Sequence, residues 1–517
     1  MRTLLLGVTA AAVALLAGRP ALANGRFPAS NQIVFSPTDE NTIIGRTTYA
    51  ILPSNDNGKS WGYLCENALA LPATTYQDPE IGLTYNNSIV AGLYSPTVGL
   101  DVSTDLGCNW TCVGAGLANQ QVADIVVRPD STPDGSPPST SHQVLALTST
   151  FSTDFDAGTF SQVFQSTDDG ATWQALGTPI DPTVIVDTID VATTDSSRIY
   201  VSGTRGYATE RTASLFVSTD NGATWVENPV TSFNPSIACL DMPAMQCLSE
   251  DSLFIAGVDP TNADRVYLRS NGITGTNTPG YSRLYVTNVT GDGGLTFDVV
   301  KSFTLPVVQS TDFTVIGEML GFALSPDGSK VFVGTRETGL WSASSADLTF
   351  TNVNSKIHVQ CLASRQASTG PELWACSDEI SGFIIGRSTD DGVTFDALMP
   401  TITSMSGPIA CSPNGASEAC FTDANASACS CSTYQQICTT YETPACFGCG
   451  LDGPPTDAGS TGSTASDGGA DGGAAVVGKA APRSASCGCS VVGGGGAAGF
   501  FAGCAILAMA LRRRRTR

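Results

Sequence analysis

The chain has 517 residues, with 54 glycines, 28 prolines, 17 cysteines, two histidines and only 14% charged residues. A hydrophobic share of 42% excludes a disordered chain, and the glycine and proline content argues against a helical bundle. The formal charge is −22, which repels phosphate backbones and argues against nucleic acid as a partner.

Residues 1–23 have the features of a secretory signal peptide. Arg2 gives a positive start, an apolar run follows, and Ala21-Leu22-Ala23 forms an A-x-A cleavage site. A polar segment begins directly afterwards at Asn24. The sequence therefore predicts export, with cleavage after Ala23.

One octapeptide recurs through the middle of the chain, in the form Ser/Thr-x-Asp-x-Gly-x-(Thr/Ser/Asn)-(Trp/Phe). The copies are SNDNGKSW at 54–61, STDLGCNW at 103–110, STDDGATW at 166–173, STDNGATW at 218–225, TGDGGLTF at 290–297 and STDDGVTF at 388–395, with a decayed copy, ASSADLTF, at 343–350. Seven copies at intervals of about 50 residues predict seven similar structural units.

The octapeptide is typical of a hairpin turn. Its aspartate can accept hydrogen bonds from backbone N–H groups of the turn, and its glycine can adopt a positive φ. The final Trp or Phe can bury itself between neighbouring sheets. Strand-like runs precede the copies, such as Ile199–Val201 and Leu215–Val217. Each unit therefore predicts four short antiparallel strands, with the octapeptide joining the third to the fourth.

The octapeptide resembles the Asp box, or bacterial neuraminidase repeat, of Asp-box β-propellers. The resemblance implies an all-β fold over residues 24–400, a seven-bladed propeller with four-stranded antiparallel blades. How the ring closes stays open, since residues 24–32 or 400–412 could supply a sealing strand. The resemblance also implies that the box aspartates are structural and peripheral rather than catalytic: Asp56, Asp105, Asp168, Asp220, Asp292 and Asp390.

Asp-box propellers include sialidases, which use a Tyr nucleophile late in the propeller and three arginines that clamp the substrate carboxylate. The sequence offers Arg26-Phe27-Pro28 as a loose match to the opening motif, and further candidate arginines at Arg46, Arg205, Arg269, Arg336 and Arg387. However, no tyrosine lies between Tyr285 and Tyr434. Xyloglucanases of this type carry two tandem propellers, whereas this chain predicts one.

Other chemistry finds little support in the sequence. The two histidines, His142 and His358, are far apart and have no partners at metal-ligand spacing. We therefore expect no metal, no cofactor and no catalytic residue. The expected function is a non-enzymatic binding or scaffold protein for an extracellular glycan or protein, with specificity in the inserts 129–144, 226–252 and 268–283. The alternative is a glycoside hydrolase, of the sialidase or another Asp-box type, whose two carboxylates the sequence cannot pair.

Fourteen cysteines between Cys65 and Cys449 predict disulfides in an exported protein. Half lie in the propeller region and half in a cysteine-rich module, residues 401–450. Each part has seven cysteines, so neither part can pair all of its cysteines internally. The sequence therefore predicts at least one bridge between the two parts, or two unpaired thiols. Local pairs such as Cys239–Cys247 and Cys361–Cys376 are the expected bridges within the propeller.

The C-terminal part reads as a tether and an address. Residues 451–486 are rich in small and polar residues and predict a disordered linker. Residues 487–517 hold Cys487 and Cys489, an uncharged stretch that predicts an apolar helix, and the cluster Arg512–Arg515. This order resembles the C-terminal sorting signal of myxobacterial surface proteins, which implies lipid modification of Cys487 or Cys489 and display on the outer membrane surface. A retained membrane-spanning anchor with a cytoplasmic C-terminus is the alternative.

Overall fold

The computed structural model describes residues 30–411, with gaps at 49, 65, 70–77, 94–98, 114–116, 118–119, 130–142, 151–159, 206–211, 230–249, 273–281, 291–295, 306–307, 310–313, 316–318, 407–408 and 410. The segments predicted as a signal peptide, a linker and a sorting signal, and nearly all of the predicted cysteine-rich module, lie outside the described residues. So do several residues singled out from the sequence: Arg26, His142, Cys239, Cys247, Asp292, Cys487 and Cys489.

Seven antiparallel sheets follow one another along the described chain, and each is a simple meander of consecutive strands. The strands of the first four sheets are β1 (Ser30–Phe35), β2 (Ile43–Thr47), β3 (Ile51–Ser54); β4 (Glu80–Leu83), β5 (Ile89–Gly92), β6 (Leu100–Ser103), β7 (Thr111–Cys112); β8 (Gln121–Val127), β9 (Val144–Thr150), β10 (Phe160–Ser166), β11 (Gln174–Ala175); β12 (Val184–Val191), β13 (Ile199–Arg205), β14 (Thr212–Ser218) and β15 (Val226–Pro229). In the first sheet the fourth position is taken by Leu64, which pairs with Ile51.

The remaining sheets have the same plan. Their strands are β16 (Glu250–Asp259), β17 (Asn262–Gly272), β18 (Ser282–Thr290), β19 (Thr296–Thr304); β22 (Met319–Leu324), β23 (Lys330–Thr335), β24 (Gly339–Ser344), β25 (Thr351–Asn354); β26 (Cys361–Ala367), β27 (Gly370–Cys376), β28 (Ile385–Ser388) and β29 (Asp396–Met399), with β20 (Val308–Gln309) and β21 (Thr314–Val315) as a separate pair. The described residues contain three short 3-10 helices, Glu66–Leu69, Glu379–Ser381 and Ile402–Ser404, and no α-helix. Within this part of the chain, no helix has the length and apolarity needed to cross a bilayer.

The sheets form a closed ring. The first strands of neighbouring sheets contact one another in the cycle β1, β4, β8, β12, β16, β22, β26 and back to β1. The structure is thus a seven-bladed β-propeller with four-stranded blades, and the fold predicted from the octapeptides is confirmed. The first strands line the centre of the ring, where a propeller has its channel.

The hydrophobic core is divided into clusters between adjacent blades. In one cluster, Leu145 and Leu147 of the third blade pack with Val186 and Val201 of the fourth. Another joins the last blade to the first, through Trp374 and Ile44. The second strand of each blade is therefore covered on both faces, as the burial of six of the seven residues in β9 and in β13 shows.

The octapeptides join the third strand to the fourth in all seven blades, as predicted. In the third blade, the Ser166 Oγ accepts a hydrogen bond from the Gly170 N–H (2.8 Å), and Asp168 accepts from the N–H and Oγ1 of Thr172 (2.8 and 2.6 Å). Equivalent bonds occur in blades 1, 2, 4 and 7. Asp169 and Gly170 both have positive φ, at 57° and 91°, so the turn needs two left-handed residues where the sequence predicted one.

The chain that leaves the last blade returns to the first. The Ser406 N–H donates to the carbonyl oxygen of Trp61 (2.8 Å), and the Ile409 N–H donates to that of Tyr63 (3.1 Å). The segment therefore extends the outer edge of the first blade. It is not needed to complete that blade, because the strands of each blade are consecutive in the chain.

Two predictions about the disulfides are confirmed. Cys361 and Cys376 are joined across the adjacent strands β26 and β27. Cys108 in the second blade is joined to Cys411 of the cysteine-rich module, which is the expected bridge between the two parts. This bridge fixes the returning segment against the propeller.

Candidate functional site

The two ends of the ring differ. Because each blade is an antiparallel meander, the octapeptide turns share one end with the connections between first and second strands. The opposite end, which we call the loop end, carries the connections between blades and those between second and third strands. The inserts at 226–252 and 268–283 connect strands at the loop end, whereas 129–144 connects strands at the octapeptide end. The central parts of all three inserts lie outside the described residues.

The first strands carry a repeated irregularity. The register shifts by one residue, as in a β-bulge, in five of these strands. In three of the five, the residue after the bulge bonds to the backbone of the next blade's first strand: Gln32 to Ile81 (3.1 and 3.3 Å), Asp124 to Ile189 (2.9 Å) and Thr188 to Ile255 (2.8 Å). Bulges re-aim side chains and often lie next to active sites.

Asp124 follows the bulge of β8, in the first strand of the third blade, and is partly exposed. Its two carboxyl oxygens accept hydrogen bonds from the N–H groups of Ile125 (2.8 Å) and Ile189 (2.9 Å). Burial raises the pKa of Asp124 well above its usual range, and the negative charge of Glu80 raises it further. The two backbone hydrogen bonds oppose this rise without cancelling it. Asp124 is therefore a carboxyl that holds its proton unusually well.

Asp190, in the first strand of the fourth blade, is a second carboxyl of this kind. It accepts hydrogen bonds from the N–H groups of Val191 (2.7 Å) and Val258 (3.1 Å), so it also links two blades. Burial raises the pKa of Asp190 to about 6. Asp190 therefore resembles Asp124 in its hydrogen bonds, but no second carboxylate contributes to the shift of its pKa.

Glu80 begins the first strand of the second blade and has a cationic partner. Arg46 Nη1 donates to Glu80 Oε1 (2.9 Å) and to the carbonyl oxygen of Pro79 (2.9 Å), while its Nε donates to Asn31 Oδ1 (3.1 Å). The Arg46 side chain is nearly buried, at 11% exposure, whereas that of Glu80 is 34% exposed. The ion pair thus fixes a carboxylate that solvent and a ligand can reach.

A separate charged cluster lies at the loop end of the fourth blade. Arg205 binds both carboxylate oxygens of Glu227 (3.3 and 2.6 Å), and its Nη2 also donates to Asp181 (3.2 Å). Thr204 Oγ1 donates to the bulge residue Asp187 (3.2 Å). Arg205 is thus ion-paired with two carboxylates of the protein itself, Glu227 and Asp181.

The arginines proposed from the sequence as a carboxylate clamp lie in different blades. Arg46 and Arg205 are ion-paired as described, Arg387 pairs with Glu372 (3.4 Å), and Arg269 donates to the carbonyl oxygen of Met319 (3.0 Å). Arg336 is exposed in the turn after β23.

Other residues singled out from the sequence lie in the connections between strands. The described box aspartates, Asp56, Asp105, Asp168, Asp220 and Asp390, lie in turns at the octapeptide end. His358 precedes β26 at the loop end and contacts Asp378. Among the residues with described positions, no three His, Cys, Asp or Glu side chains are grouped so that they could hold a metal ion.

The carboxyls Glu80, Asp124 and Asp190 were not among the residues singled out from the sequence. Asp124 and Asp190 each interrupt an apolar strand, in the runs Ala123-Asp124-Ile125 and Ile189-Asp190-Val191. A carboxyl flanked by apolar residues in a buried strand was the available signal. With 47 acidic residues in the chain, that signal could not show which carboxyls meet.

No protein-family profile and no curated protein sequence matches this chain. Similar solved structures include the GH74 enzyme of Niastella koreensis, with 15% identity and a TM-score of 0.28 over 71% of each chain. The GH74 xyloglucanase of Xanthomonas campestris is 14% identical with a TM-score of 0.31, over 74% of this chain and 66% of that one. An α-L-arabinanase of Penicillium chrysogenum is 16% identical with a TM-score of 0.34, over 58% and 87%. These likenesses concern the fold alone.

The prediction of a non-enzymatic binding or scaffold protein is corrected here. Three of the similar structures are glycoside hydrolases, the class that the sequence left open as its alternative, and at these identities they show the fold alone. A non-enzymatic function was predicted because the chain lacks a late tyrosine and a histidine-based site. Those absences argue against one sialidase mechanism, but hydrolysis by two carboxylates requires neither group.

Proposed function

We propose that the protein is a glycoside hydrolase in which Asp124 and Glu80 are the two catalytic carboxyls. The proposal rests on the Arg46–Glu80 ion pair (2.9 Å) and on the pKa of Asp124, which burial and the charge of Glu80 raise. Two carboxyls whose environments separate their protonation are the usual basis of acid and base roles in glycoside hydrolysis.

The proposed acid and base roles follow from the raised pKa of Asp124 and from the ion pair between Glu80 and Arg46. Protonated Asp124 would donate its proton to the glycosidic oxygen as the bond to the anomeric carbon breaks. Glu80, as the carboxylate, would either attack that carbon or take a proton from the attacking water. If Glu80 attacks the carbon, Asp124 then takes a proton from the water that hydrolyses the glycosyl–Glu80 ester, which restores both carboxyls. If Glu80 instead takes the proton of the attacking water, it releases that proton to solvent and Asp124 regains one from solvent.

The surroundings of the pair favour a neutral glycan as substrate. The charge of Asp190 contributes to the raised pKa of Asp124, and Asp78, two residues before Glu80, accepts a hydrogen bond from Asn31 Nδ2 (3.0 Å). These acidic groups would repel a uronate or a sialate at the same site. Arg46 and Arg205, which could otherwise bind a substrate carboxylate, are paired with glutamates of the protein.

The test is hydrolysis of xyloglucan, linear arabinan and mixed-linkage β-glucan by residues 24–450, with reducing-sugar release as the readout. We expect E80Q and D124N to lower kcat by about 10²- to 10⁴-fold, as the loss of an acid or base does. D190N is the comparison variant: Asp190 has two backbone bonds of the same kind and its charge only adds to the rise in the pKa of Asp124, so D190N should lower kcat far less than D124N. Turnover of no substrate, or equal losses in D124N and D190N, would count against the proposal.

We also propose that the repeat units are of the Asp-box type and that the protein is exported and displayed on the outer cell surface. The octapeptides, the signal peptide and the Cys487 to Arg517 segment support this, and the two disulfides fit an oxidising compartment. Mass spectrometry of the native protein should find Asn24 as the first residue and a lipid on Cys487 or Cys489. An intact C-terminus in the membrane fraction would instead favour the retained anchor.

A further inference from the structure

His358 is held rigidly at the loop end, between the sixth and seventh blades. Its neighbours in sequence, Ile357 and Val359, are both buried, and the Val359 N–H donates to the carbonyl oxygen of Thr335 (3.0 Å). The His358 N–H donates to Ser381 Oγ (2.9 Å). The backbone on both sides is therefore fixed, while the imidazole side chain remains 34% exposed.

Asp378 fixes the orientation of this imidazole. Its carboxyl group is buried and lies 2.8 Å from His358 Nδ1 through Oδ2, while Oδ1 accepts from the N–H (3.0 Å) and Oγ (2.9 Å) of Ser381. Burial acts to raise the pKa of Asp378, but the hydrogen bonds from His358 and Ser381 outweigh it and lower that pKa. An ionised carboxylate can only accept, so Nδ1 carries the hydrogen and Nε2 of the neutral ring presents a lone pair.

The arrangement is not that of a serine hydrolase. Ser381 Oγ donates to Asp378 Oδ1 and accepts from the backbone N–H of His358, and its hydrogen bonds do not include Nε2. The same short turn instead exposes Ile380, whose side chain is 77% accessible and is the most exposed large apolar group among the described residues. An oriented polar atom and an apolar side chain thus lie in neighbouring segments on the end of the ring where loops gather.

We propose that His358 and Ile380 form a subsite for one sugar unit of a neutral glycan, which rests on the function proposed above. A sugar ring has hydroxyl groups and a C–H face, so Nε2 would accept a hydrogen bond from a hydroxyl and Ile380 would contact the C–H face. Asp378 is a positioning residue, because it keeps the hydrogen on Nδ1 and leaves Nε2 free to accept.

The experiment uses the full exported chain carrying E80Q, labelled with ¹⁵N-histidine, and a xyloglucan heptasaccharide or arabinotetraose as probe. The chain has only two histidines, so an H142A variant assigns both sets of ring resonances. We expect His358 at pH 8 to show hydrogen on Nδ1, and its Nε2 resonance to shift when one of the oligosaccharides is added. D378N should abolish the Nδ1–H form, and S381A keeps the His358–Asp378 contact for comparison if D378N does not fold.

The kinetic arm uses the active enzyme. H358A should raise KM about three- to tenfold, as the loss of one hydrogen bond does, with kcat unchanged. An Nε2 shift in a protein that hydrolyses nothing would support the subsite and overturn the hydrolase. Hydrolysis with an unchanged KM in H358A, or no Nε2 shift with either oligosaccharide, would overturn the subsite.

Discussion

Gly392 in the octapeptide of the seventh blade lies directly against Leu340 of the sixth blade. A Cβ atom added at Gly392 would lie 2.1 Å from Leu340 Cδ2, far inside van der Waals contact. Gly58 has the same relation to Trp374 (2.8 Å), across the junction of the last and first blades. The octapeptide is therefore a joint between blades as well as a turn within one blade.

We predict that G392A destabilises the propeller by about 2–5 kcal/mol, because it adds overpacking to the strain of a positive φ (87°). The matched control is G382A, where φ is 93° but a Cβ would meet no atom within 4 Å. G382A should cost only the strain, about 1–2 kcal/mol. Urea unfolding of both variants measures the difference, and equal losses would show that the contact with Leu340 contributes nothing.

We predict that D168N weakens the octapeptide of the third blade by about 1–3 kcal/mol, because it disturbs the bonds from Thr172 and Ser166. Burial opposes ionisation of Asp168, but these hydrogen bonds outweigh it and lower its pKa. The stabilisation is therefore present above the ordinary pKa of 3.8 and is lost as the pH falls through the lowered value. Thermal melts at pH 7 and pH 2.5 should show a smaller gap between wild type and D168N at the lower pH.

Asp190 should affect stability in the opposite direction. Because burial raises its pKa to about 6, the folded protein holds this proton more tightly than the unfolded chain does. The contribution to stability is complete below about pH 3.8 and is lost as the pH rises to about 6. Between these values, the Tm of wild type relative to D190N should fall as the pH rises. A constant difference across the range would show that Asp190 binds its proton equally well in the folded and unfolded chains, so that its pKa is not raised.

Loss of the Cys108–Cys411 bridge should destabilise the propeller by about 3 kcal/mol or more, since the bridge closes a loop of 303 residues. The double variant C361S/C376S opens a loop of only 15 residues and should cost less. Denaturant unfolding of C411S and of the double variant without reductant compares the two. Disulfide mapping of the wild type checks that both bridges form, and a larger loss in the double variant would contradict the prediction.

The number of blades could be predicted from the sequence, because the octapeptide is local chemistry. Its serine, aspartate and glycine lie within eight residues and form their hydrogen bonds with one another, wherever the blade lies in the ring. The same holds for Cys361 and Cys376, which a short hairpin brings together. The second left-handed residue of the turn was missed, since Asn, Leu and Asp occupy that position and none of them requires a positive φ.

The candidate site could not be predicted in the same way. Glu80, Asp124 and Asp190 belong to the first strands of three different blades, and the effect of Glu80 and Asp190 on the pKa of Asp124 depends on how the blades pack in the ring. Burial, which raises the pKa of both aspartates, is likewise a property of the closed ring. His358 and Asp378 are 20 residues apart and meet because adjacent turns converge at the loop end. The sequence by itself determined the repeating turn and the number of blades, since those depend on near neighbours. Only the tertiary structure decided which carboxyls affect one another electrostatically and which have a raised pKa, since desolvation and charge repulsion depend on distant parts of the chain.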